Sequence, residues 1–147
     1  MKDATILLIK NSDQFINQLT NNIGKSVKIA EYEAMIPKPK SEYFGAIESE
    51  KFIIYGQQDL IFQKKIVLQA EGLVQGDRLQ LKITFYDLRQ FIVNNVILTL
   101  CGVIMFLAFS RELGIGIGIL SLAQIVFFTV NYQEKKKKFL RMIKKII

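Results

Sequence analysis

The sequence predicts an α+β domain, an antiparallel sheet plus one helix, followed by a transmembrane α-helical hairpin and a basic amphipathic C-terminal helix. Three observations carry that expectation. Charged and amide side chains run through every stretch from Met1 to Arg89, whereas from Phe91 to Val130 the only charged residues are Arg111 and Glu112. Alternating apolar and polar residues dominate the second half of the first region. The formal charge of +7 is concentrated at the C-terminus, where residues 134–147 hold seven Lys or Arg and one Glu.

The first 88 residues read as a cytosolic α+β domain. "ATILLI" fits a strand or the start of a helix. "DQFINQLTNNIG" then places Phe15, Ile16, Leu19 and Ile23 on one helical face, with Gly24 as a stop. From Val27 onward short alternating runs follow, and "IPKPK" at 36–40 holds both prolines and reads as a loop. "EYFGAIESEKFIIYG" predicts two strands around the polar turn Glu48 to Lys51. "KKIVLQAEGLVQGDRLQLKITFY" predicts two more around Gln75-Gly76-Asp77. In the last strand Leu79, Leu81, Ile83 and Phe85 share one side and Gln80, Lys82, Thr84 and Tyr86 the other, as in a sheet with one buried face. Four or five antiparallel strands and one helix suit the length.

Residues 89–131 predict a hairpin of two spans, 91–109 and 113–130, joined by Ser110, Arg111 and Glu112. At 1.5 Å per residue these spans reach about 28 and 27 Å, close to the hydrocarbon thickness of a bilayer. Two buried helices of a soluble protein would need a partner layer of comparable apolar area, which the polar first region does not supply. "RELGIGIGILSLAQ" carries glycines at 114, 116 and 118, a spacing that superficially resembles a phosphate-binding loop. Such a loop needs G-x-G-x-x-G between a strand and a helix. Here position 119 is Ile and no strand precedes, so Gly114 and Gly118, four apart, are expected to serve helix packing. Asn94 and Asn95 fall near the start of the first span, where amides still reach interfacial water. Gln124 lies deeper, and a cross-helix hydrogen bond to Asn95 would satisfy it.

Residues 132–147 predict an interfacial tail. Phe139, Leu140, Ile143, Ile146 and Ile147 recur on one helical face. Lys135, Lys136, Lys137, Lys138, Arg141, Lys144 and Lys145 supply cations for anionic lipid headgroups. The apolar face favours lipid over nucleic acid. Cytoplasmic flanks of spans are rich in Lys and Arg. The tail, with Arg78, Lys82 and Arg89, therefore puts both termini in the cytosol, and the N-terminus lacks a signal-peptide core.

The run Tyr43-Phe44-Gly45-Ala46-Ile47, followed by Phe52-Ile53-Ile54, a strand hairpin and a membrane-helix pair, resembles small uncharacterised bacterial two-helix membrane proteins. The resemblance implies a strand-rich, pleckstrin-homology-like cytosolic module at the inner membrane. It carries over no functional residues, and this chain has "YGQQDLIFQKKIVLQ" where those proteins are often arginine-rich and proline-containing.

The chain contains no histidine, and its one cysteine, Cys101, lies within the apolar run. No Ser-His-Asp or Cys-His pair and no zinc cluster can be assembled. The carboxylates of Asp59, Glu71 and Asp77 are isolated. The expected function is therefore non-enzymatic, with no catalytic, cofactor or metal site. A module is tethered to the inner membrane for protein interaction or regulation, with lipids and a protein partner or a second copy as its contacts. The alternative is an oligomeric transport or channel subunit built on the hairpin.

Overall fold

A computed structural model describes residues 5–24, 27–34, 41–60 and 63–147. The chain divides into two compact units, residues 1–86 with 134–147, and residues 87–133. The expected loop at 36–40 lies outside the described residues.

The first unit is built on five antiparallel strands in the order β1-β5-β4-β3-β2. They are β1 (Thr5–Leu8), β2 (Tyr43–Glu48), β3 (Lys51–Leu60), β4 (Gln63–Gln75) and β5 (Arg78–Phe85). "ATILLI" thus resolves as a strand, paired to β5 with Thr5 opposite Leu81 and Leu7 opposite Leu79. The β4–β5 turn needs two residues, and Gly76 takes a left-handed φ of 59° that a side chain would disfavour. At the β2–β3 turn Ser49 adopts a φ of 51°. The β3–β4 ladder shifts register between Gly56 and Gln57, a bulge that increases local twist.

Helix α1 (Ser12–Asn22) starts at Asn11, whose side chain accepts a hydrogen bond from the Gln14 backbone N–H at 3.0 Å. That satisfies one of the four donors a helix start leaves open. Phe15, Leu19 and Ile23 are buried, as their spacing requires. A six-residue helix, α2 (Ile29–Ala34), occupies a stretch expected to be extended.

One sheet face carries the core: Phe52, Ile54, Leu68, Ala70, Val74, Leu79 and Leu81 are buried there with the α1 residues. Gly72 lies opposite Phe52, whose ring lies where a Cβ at residue 72 would be, so only glycine fits beneath it. The remaining cover comes from the far end of the chain. Phe139 and Ile143 are fully buried in this core, and Leu140, Met142, Ile146 and Ile147 pack against it. The reading of 132–147 as a separate tail with its apolar face in lipid is therefore corrected for residues 134–147. Those residues form the second helix of the sheet's buried face. On the opposite face Val27 and Phe44 form a small buried cluster with Tyr55 and Ile66 packed against it, while the β1 side stays open, with Ile6 62% and Leu8 69% exposed.

The second unit comprises helix α3 (Leu88–Ala108) and the first part of helix α4 (Arg111–Ile146). Each contains a stretch long and apolar enough to cross a membrane, and only 11% of each stretch is buried. The break is tighter than expected. Arg111 and Glu112 belong to the first turn of α4, and Ser110 Oγ accepts from the Leu113 N–H at 3.4 Å. A carboxylate in that first turn complements the positive end of the helix dipole.

Candidate functional site

Three places hold the residues that the sequence singled out. The first is the seam between α3 and α4. A Cβ on Gly114 would sit 2.6 Å from the Phe106 backbone N and Cα, so glycine is what lets the helices approach there. Gly118 does not share the role, because a Cβ there meets nothing within 4 Å. Its place in the seam is taken by Ile117, whose Cγ2 lies 3.2 Å from a Cβ built on Gly102 of α3. Helical geometry explains the difference: residues 114, 117 and 121 run down one side of α4, and residue 118 lies off that line.

A polar cluster sits below. Asn95 and Ser121 are buried. The Ser121 hydroxyl donates to Asn95 Oδ1 at 3.4 Å and lies 3.1 Å from Thr99 Oγ1. Asn95 Nδ2 donates to the Phe91 carbonyl at 3.0 Å, and Thr99 Oγ1 donates to the Asn95 carbonyl at 2.8 Å. The expected Gln124 bond to Asn95 is thus replaced by one from Ser121. Its signal was present in the sequence, since Ser121 lies seven residues beyond Gly114 and hence on the same helix face.

The second place is the docked end of α4. Phe139 packs on Tyr43 of β2 with ring centroids 5.4 Å apart. Lys135 Nζ donates to Glu42 Oε1 at 2.7 Å, with the Lys135 side chain only 16% exposed. Lys135 is therefore engaged inside the sheet unit, and of the seven expected headgroup cations Lys137, Lys138, Arg141, Lys144 and Lys145 remain on the surface. Tyr43 carries an anomaly. Its hydroxyl is buried with no hydrogen-bond partner, and burial, helped by the Glu42 carboxylate, pushes its pKa well above the usual value of 10.0.

The third place is the open sheet face. Ala46, Ile53 and Leu73 line a hollow of about 310 Å³, rimmed by Glu48, Lys51 and Glu71. At the β2 side an aromatic row runs from Phe44 to Tyr55 to Tyr86, with centroids 5.5 and 5.7 Å apart. Burial and the nearby Glu71 raise the Tyr55 pKa. Among the described residues no three His, Cys, Asp or Glu side chains gather as a metal site requires.

Comparison of the chain with protein families, with curated proteins and with solved structures gave no match.

Proposed function

We propose that this chain is a non-enzymatic integral membrane protein. Helices α3 and α4 cross the bilayer as a hairpin and tether a cytosolic α+β module for protein interaction or regulation. One observation carries the reading. The hairpin leaves the module after β5, and the chain beyond it returns to complete the same core through Phe139 and Ile143. A hairpin whose two ends enter one folded unit must have both ends on one side of any membrane that it crosses.

The exposed apolar surface supports the spanning role. Leu107 is 75% and Phe109 77% exposed. Leaving such side chains in water forgoes about 1.5–3 kcal/mol each relative to burial, a cost that lipid removes. The excess of Lys and Arg on the module side supports a cytosolic placement. The open sheet face, with Ile6, Leu8 and Ile53 exposed, supports an interaction role.

The test uses single cysteines at Arg111 and Asp77 in a Cys101→Ser background, in oriented membrane vesicles. An impermeant thiol reagent should label position 111 only in right-side-out vesicles and position 77 only in inside-out ones. Labelling of both from the same side, or recovery of the chain in the supernatant without detergent, overturns the reading.

A further inference from the structure

The docked end of α4 has two unlike sides. Its apolar side is committed to the sheet core through Phe139 and Ile143, so it cannot also enter lipid. At about 100° per residue, Lys137, Lys138, Arg141, Lys144 and Lys145 fall within one arc of about 120° on the other side, and all five are exposed. Lys138 pairs with Glu134 at 3.4 Å. Lys137, Arg141, Lys144 and Lys145 have no ion pair among the described residues. Four cations crowded on one helix side repel one another, and a matching anionic surface relieves that repulsion.

We infer that this arc binds the phosphate headgroups of anionic phospholipids by charge alone, without insertion of the helix. The inference rests on the membrane reading above. Lysines begin five positions after Val130, the last residue of the apolar run. Along the unbroken helix α4, at 1.5 Å per residue, Lys137 and Arg141 rise about 10 and 16 Å past Val130 and Lys144 and Lys145 about 21–22 Å, so Lys137 and Arg141 stand nearest the headgroups. Each cation within a screening length of an anionic leaflet strengthens attachment roughly fivefold, and those farther out contribute less. Attraction of this kind is screened by salt, whereas an inserted amphipathic helix would hold through its buried apolar side.

The experiment takes the full chain in detergent with mixed phosphatidylcholine and a minority of phosphatidylglycerol, repurifies it and measures retained lipid by mass spectrometry. Phosphatidylglycerol should be retained severalfold above its input share. The enrichment should vanish at about 1 M salt, where the screening length falls to about 3 Å. It should also vanish in the quadruple variant K137Q/R141Q/K144Q/K145Q, whose circular dichroism and melting stay near wild type because the four side chains are exposed. Retention of both lipids at the input ratio, or undiminished enrichment in the folded quadruple variant, overturns the inference while leaving the membrane reading intact. Uptake of neither lipid overturns both. Displacement of the phosphatidylglycerol by inorganic phosphate or a short RNA at matched ionic strength would assign the arc to a dissolved anion instead, and would overturn the lipid assignment.

Discussion

Lys135 and Glu42 meet at 2.7 Å across 93 residues of chain, and the whole hairpin lies between them. Beside this ion pair Phe139 packs on Tyr43, so the start of β2 and the end of α4 are held by one charged and one aromatic contact. The sheet unit is consequently discontinuous in sequence. Residues 1–86 alone lack one of the two helices that cover their buried face. Phe139→Ala should destabilise the unit by about 3–5 kcal/mol, read as a lower urea midpoint of the full chain in detergent. Truncation after Gln133 should leave the sheet unable to fold, with loss of its strand signal in circular dichroism. A truncated chain that keeps the wild-type midpoint would show that the docked helix is dispensable.

The ion pair itself is expected to contribute little. Lys135 is largely buried but the Glu42 side chain is 45% exposed, and solvent screens such a pair. In a double-mutant cycle of Glu42→Gln and Lys135→Met, the coupling should be about 0.5–1 kcal/mol. A coupling beyond about 3 kcal/mol would place the pair among fully buried ones.

Gly114 and Gly118 should respond in opposite ways although they share a spacing. Gly114→Ala forces a Cβ against the Phe106 backbone, so the helices must part and the hairpin should lose thermal stability. Gly118→Ala meets open space and should raise helix stability by up to about 1 kcal/mol. Melting of the purified full chain in detergent separates the two. Equal losses from both variants would mean that Gly118 is packed after all, against another molecule.

Within the seam, Ser121→Ala removes the hydroxyl that bonds Asn95 and approaches Thr99. Interhelical hydrogen bonds in membranes average about 0.6 kcal/mol and reach about 1.7, so a loss in that range is expected. Gln124→Ala should change stability by less. A larger loss from the Gln124 variant, measured by refolding in mixed micelles, would restore the pairing that the sequence suggested.

Most of the strands were legible because alternation and turn residues mark them locally. Asp77 follows Gly76 at a tight turn, and Leu79, Leu81 and Ile83 alternate with polar neighbours. The apolar spans were legible by length alone. What local pattern could not supply was the partner of the C-terminal apolar face, since an amphipathic helix looks the same whether it lies on lipid or on a sheet. Five strands at about 4.8 Å spacing span about 19 Å, whereas one helix covers about 10 Å. A single α1 therefore leaves half of the apolar face bare, and Phe139 and Ile143 fill it. Helix α2 is not legible in the sequence because six residues carry too little periodicity.

The Tyr43 hydroxyl is buried without a partner, and such a group costs about 1–3 kcal/mol in desolvation. Tyr43→Phe keeps the ring against Phe139 and removes that cost, so the variant should be at least as stable as wild type at neutral pH. The alkaline behaviour follows from the direction of the pKa shift. Below the usual tyrosine value of 10.0 both folded and unfolded chains keep the proton, and stability is unaffected by this group. Above it the unfolded chain releases the proton while the folded one retains it. The unfolded state then binds fewer protons, and stability falls as pH rises. Tyr55, raised in the same direction by burial and Glu71, adds to the slope. Denaturant titrations from neutral pH to about 11 should show a shallower alkaline loss for Tyr43→Phe than for wild type. Identical slopes would mean that solvent or a hydrogen-bond donor reaches the phenolate in the folded protein, and the buried contact between Tyr43 and Phe139 would have to be looser than the 5.4 Å ring separation implies.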